Sequence, residues 1–176
     1  MIRVVVGDLM SRSEEAVMRP IRSDLAPTTV ASRDLAGAAG DEVRTRLEAV
    51  GRLPVGGAVI TPAGNLPSSF LIHVVGSAED EPQTPYTIQR ALKNGLRRAA
   101  DWGVASLALP PLGISVGTME AEEAARTLVE VLVDHLNEGQ PPLELTVVVA
   151  TPYEEQILTQ LVSGTGYACD AAPGDG

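Results

Sequence analysis

Three stretches hold residue types that could do chemistry. In "VVVGDLM" an acidic residue, Asp8, directly follows an apolar run, with Leu9 beside it. A carboxylate there can accept hydrogen bonds from an exocyclic amine, or cap a turn. In "PPLGISVGT" the residues Gly113, Ile114, Ser115, Val116 and Gly117 lead from an apolar run into an acidic helical stretch. A small-residue loop at a helix start presents unpaired N–H groups suited to phosphate. It lacks the lysine and spacing of a nucleotide-triphosphate loop and the full dinucleotide fingerprint, so a plain turn is the alternative. In "MRPIRSDLAPTT" two prolines and two arginines, Arg19 and Arg22, fill a strand-to-helix connection. Other reactive types lack a context. His73 sits inside the apolar run "FLIHVV" and His135 near a helix end, both suited to structural roles. Two distant histidines and the single Cys169 give no metal cluster, and no serine has an activating neighbour. No catalytic residue and no cofactor are assigned.

These junctions need strands and helices to hold them. "IRVVV" predicts a buried strand ended by Gly7-Asp8, and "EAVM" a weaker one cut off at Pro20. A helical stripe from Ala31 is broken at Gly40 and ended at Gly51. "AVIT" and "FLIHVV" read as strand, turn, strand. Thr84 caps a helix with Pro85 at its first position and Gly103 at its close. "VASLALPPLG" is a further strand, "TMEAEEAARTLVEVLVDHLNEG" an amphipathic helix, "LELTVVVA" a strand and "PYEEQILTQLV" a last helix. Alternating strands and helices predict an α/β fold, a three-layer α/β/α sandwich around a central mixed sheet. One domain over 1–162 is expected, followed by a loosely held tail over 163–176. In such folds ligands bind beyond the carboxyl ends of the strands, where all three stretches fall.

Composition narrows the partners. The chain has 176 residues, enough for one real core, with 44% hydrophobic and only 3% aromatic residues, so that core is aliphatic. A formal net charge of −10 argues against nucleic acid, though not against a small anion held by backbone amides. The opening apolar run is too short for a signal peptide and no segment reaches membrane-spanning length. With one tail cysteine, a cytoplasmic protein without membrane contact is the expectation.

The order of these pieces resembles the macrodomain family. "VVVGDLM", "LPVGGAVITPAGNLPSSFLIHVVG" and "SLALPPLGISVGTMEAEEAA" are similar to its opening strand, its central segment and its second ligand loop. The resemblance, which covers Ile2 to about Leu161, implies ADP-ribose binding or the processing of ADP-ribose phosphate derivatives (Appr-1-p processing). It implies Asp8 as the adenine contact and Tyr153, past the last strand, as a residue able to stack on a base. The family's Val-Asn-Ala-Ala-Asn is replaced by Met18-Arg19-Pro20-Ile21-Arg22, and its glycine run by Pro27-Thr28-Thr29-Val30. Prolines remove donors, and β-branched residues resist close backbone approach. Arg19 and Arg22 either substitute charge for those contacts or pair with nearby acids. Three readings stay open: a module with altered affinity for an ADP-ribose-like ligand, an interaction module with a protein partner or a second copy, and a hydrolase.

Overall fold

A computed structural model describes residues 1–114 and 120–168. Six strands form one sheet: β1 (Ile2–Val6), β2 (Ala16–Arg22), β3 (Ala58–Pro62), β4 (Phe70–Ser77), β5 (Ser106–Leu109) and β6 (Glu144–Val149). Their spatial order is β1-β6-β5-β2-β4-β3. All neighbours are parallel except β3, which runs antiparallel to β4. The sheet is therefore mixed, as expected.

Five helices cover it: α1 (Val30–Ala39), α2 (Asp41–Val50), α3 (Pro85–Asp101), α4 (Ala121–Glu138) and α5 (Pro152–Ser163). Alternate residues of each strand feed opposite cores, which explains their unbroken apolar runs. On one face Met18, Ile72, Leu107 and Val147 pack with Leu92, Leu96, Leu128 and Leu158 of α3, α4 and α5. On the other, Val17, Leu71, Ala108 and Val148 meet Leu35 and Val43 of α1 and α2. Helix, sheet and helix make three layers.

The helix limits follow from their ends. Thr84 caps α3 by accepting from the Thr87 N–H, with Pro85 at the first position. Gly40, at φ 98, separates α1 from α2 in a conformation that a side chain resists.

One boundary differs from the sequence expectation. β2 does not stop before Pro20 but continues through it to Arg22. It pairs with β4 along its whole length, yet with β5 only at Ala16 and Val17. The Pro20 carbonyl accepts from Ser32 Oγ at 2.6 Å and Thr28 Oγ1 at 3.4 Å. A strand residue presents its N–H and C=O to the same edge, so the donor that Pro20 lacks would have faced the edge β5 has vacated. The chain's own loop covers that edge, with Arg22 N–H bonded to Ala26 O at 2.8 Å.

Beyond α5, the chain returns to the sheet. The Ile2 N–H donates to Tyr167 O at 2.7 Å, and Ile2 bridges Ala168. No helix among the described residues is long and apolar enough to cross a membrane.

Candidate ligand-binding site

The carboxyl ends of β1, β6, β5 and β2 open on one cleft of about 540 Å³. That is within the roughly 300–1,000 Å³ of small-molecule sites. Gly7, Asp8 and Leu9 form one end, Pro110 to Gly113 the wall after β5, and Thr28 to Ala31 the wall at the start of α1. Among the described residues, the gap between the two walls is open.

Asp8 belongs to the cleft and caps a turn as well. Its Oδ1 accepts from the Met10 N–H at 2.9 Å, starting a short 3-10 turn over Leu9–Ser11. The carboxylate is exposed, and its second oxygen has no hydrogen-bond partner among the described residues.

The α1 wall carries Thr28, Thr29 and Val30 of the stretch Pro27–Val30. Thr29 caps α1 by accepting from the Ser32 N–H at 3.0 Å. Val30 and Ala31 occupy the first two helical positions, so their N–H groups have no acceptor within the helix. Both residues line the cleft, and the positive end of the helix dipole lies there. On the opposite wall Gly113 adopts φ 93, and Ile114 turns back against the core.

The same end, beyond β6, holds an acid that the sequence reading did not single out. Glu154 Oε2 accepts from Ala150 N–H at 3.0 Å, Thr151 N–H at 3.0 Å and Thr151 Oγ1 at 3.1 Å. The motif Thr-Pro-Tyr-Glu is a capping box for α5, a signal present in the sequence. Gln83 lines the same cleft; nothing in "AEDEPQTP" marks it.

The two arginines lie elsewhere. Arg19, 4% exposed, is buried beneath α1. Its Nε donates to His73 Nδ1 at 2.9 Å and its Nη1 to Ser32 O at 3.1 Å. Desolvation pushes its pKa down to about 10, leaving it charged at neutral pH. Arg22 points back along its own loop, gripping Asp24 with two nitrogens, while Asp24 also accepts from the Ala26 N–H. Neither lines the cleft, and neither does Tyr153, which is 62% exposed on the first turn of α5. Ser115, Val116 and Gly117, like Cys169, lie outside the described residues.

His73 is fully buried, between Arg19 and Thr61 Oγ1, the latter 3.0 Å from Nε2. Because Arg19 Nε can only donate, Nδ1 must accept, and the ring is neutral with its proton on Nε2. Burial first, and the Arg19 charge second, push its pKa down to about 3.

Comparison with known proteins agrees with this geometry. The macro domain family model matches residues 24–128. A protein of Aeropyrum pernix is 34% identical over 128 residues, 71% of this chain and 67% of its own. An O-acetyl-ADP-ribose deacetylase of Enterobacter sp. is 28% identical over 176 residues, 97% of this chain and 98% of its own. Among solved structures, a variant of the Oceanobacillus iheyensis macrodomain with ADP-ribose superimposes with a TM-score of 0.74. It is 24% identical, and the match covers 92% of this chain and 91% of that one. With its sandwich, its strand-end cleft and these matches, the chain belongs to the macro domain family.

Proposed function

We propose that the chain binds ADP-ribose, or a related nucleotide-like diphosphate, in the cleft beyond the strand ends, with affinity altered from that of glycine-looped relatives. The observation that carries this reading is the open gap of about 540 Å³ between the Thr28–Ala31 wall and the Pro110–Gly113 wall. The α1 start offers two amide N–H groups to a phosphate, replacing a glycine loop by a helix terminus. Asp8, at the other end, is suited to the exocyclic amine of a base. That a similar macrodomain carries ADP-ribose supports the choice of ligand.

Arg19 and Arg22 are left out of the holding set, since two nitrogens of each are engaged within the protein and neither lines the cleft. The side chains of Thr28, Thr29 and Val30 narrow the approach that glycines would leave open, which favours weakened binding. Among the described residues, Asp8 and Glu154 are the acids of the cleft, and both accept backbone N–H groups. This favours binding over hydrolysis. The self-bonded Arg22–Ala26 loop favours a second reading, an interaction module that needs no ligand. Titration calorimetry with ADP-ribose separates the two. Saturable heat at one site supports the first; no heat and no thermal shift at millimolar ligand refutes it.

A further inference from the structure

Arg19 carries a positive charge that the protein does not pair. The residue is 4% exposed and lies on β2, beneath the first turn of α1. Its acceptors, His73 Nδ1 at 2.9 Å, Ser32 O at 3.1 Å and Ser32 Oγ at 3.5 Å, are all neutral. Six other arginines, each more exposed, reach a carboxylate at 3.8 Å or less. Among the described residues, Arg19 has no carboxylate so near. With 23 acidic residues against 13 basic ones, the chain is not short of partners. A buried charge without a counter-charge is costly, so this one needs a reason.

Its position adds to that cost. Ser32 is the third residue of α1, and the positive end of a helix dipole disfavours a cation. Val30 and Ala31, just before it, hold N–H groups without a helical acceptor and line the cleft. Ser32 Oγ also donates to Pro20 O at 2.6 Å, and Pro20 lines the cleft as well. Through Ser32, short contacts therefore join the guanidinium to the Pro20 wall and to the start of α1. A buried charge is screened far less than a surface one, so over a few ångströms it acts without contact.

We propose that Arg19 is a positioning residue for the anionic part of the ligand, its charge drawing a diphosphate to the Val30 and Ala31 N–H groups from behind the α1 start. The bound anion is then the counter-charge that the protein omits. The proposal rests on the cleft being a site for a phosphate-bearing ligand. It also sets an orientation. The acids of the cleft, Asp8 and Glu154, stand at the β1 and β6 end, whereas Arg19 lies on β2. An anion is repelled at the first end and attracted at the second, so the phosphates face α1 and the base faces Asp8.

Two variants separate charge from hydrogen bonding. Arg19→Gln places its amide nitrogen at the chain position of Nε, so it can still donate to His73 but carries no charge. Arg19→Lys keeps the charge and has no nitrogen at that position. ADP-ribose is titrated calorimetrically into wild type and both variants, and thermal unfolding shows that each is folded. Arg19→Gln is expected to weaken binding about tenfold, and Arg19→Lys to stay within about threefold of wild type. Equal losses in both variants, no loss in either, or a loss in Arg19→Lys alone overturn the assignment while leaving ADP-ribose binding intact. A measurement on wild type covers a variant that does not fold. The Arg19 Nε–H resonance, held in the buried bond to His73, is expected to shift saturably as ADP-ribose is added. A resonance that stays fixed while ADP-ribose binds overturns the assignment. Wild type that binds no ADP-ribose removes the cleft reading itself, and this assignment with it.

Discussion

Acidification from about pH 8 to about pH 5 is expected to cost the folded protein about 2 kcal/mol through His73, a cost that His73→Asn abolishes. The ring is fully buried, its Nδ1 accepts from Arg19 Nε, and its pKa is held at about 3 rather than the ordinary 6.5. An unfolded chain takes up a proton on this residue as the pH falls through 6.5, whereas the folded chain does not until about 3. The folded state therefore loses ground progressively through that window; above it, both states are neutral and His73 contributes nothing. At pH 5 the gap is about 1.5 pH units on the unfolded side, or about 2 kcal/mol. In the variant, Asn Oδ1 can accept from Arg19 in place of Nδ1, and no proton is taken up by either state. The lost volume lowers stability equally at both pH values. His135, whose pKa burial also lowers, is common to both proteins and cancels in the difference. Urea unfolding at the two pH values, on both proteins, measures that difference. Parallel losses in wild type and variant would refute a neutral, desolvated His73.

Three further outcomes are expected. Gly64→Ala places a Cβ 2.1 Å from Ala39 O at a φ of +63, and backbone cannot yield as a side chain would. It should cost about 3 kcal/mol, read as a drop of about 10 °C in melting temperature. Asp8→Ala should weaken ADP-ribose binding by at least tenfold in calorimetry, and lower stability by about 1 kcal/mol through the lost turn cap. Asp8→Asn keeps an oxygen for the cap and restores the stability alone. Replacing Pro27–Val30 by glycines together with Arg22→Asn should raise ADP-ribose affinity, measured in the same way, by freeing the backbone to close on the diphosphate. Unchanged or weaker binding would mean that those side chains do not limit the site.

Much of the scaffold is legible because its signals are local. The β-branched run of β1, the Thr84-Pro85 start of α3 and the break at Gly40 each act through neighbouring residues, and the structure keeps them. β1 is, however, a partly exposed edge strand, with Val6 46% exposed, rather than a buried one. Pro20 reads as a strand end because proline lacks a donor. Whether that matters depends on β5 pairing no further than Val17, a contact between segments about ninety residues apart that no local pattern records. Arg19 is a harder case of the same kind. An arginine beside prolines reads as surface, yet here the stem enters the α1 layer and finds His73 and Ser32. Asp8 combined both readings of its position, capping a turn while facing the cleft.

Backbone amide shifts, followed by NMR as ADP-ribose is added to the uniformly labelled protein, test the central claim most directly. Saturable changes confined to Asp8, Val30, Ala31 and Gly113, around the one cleft, are the expected result. No change at millimolar ligand, or changes on another face of the sandwich, would contradict ligand binding at the strand ends.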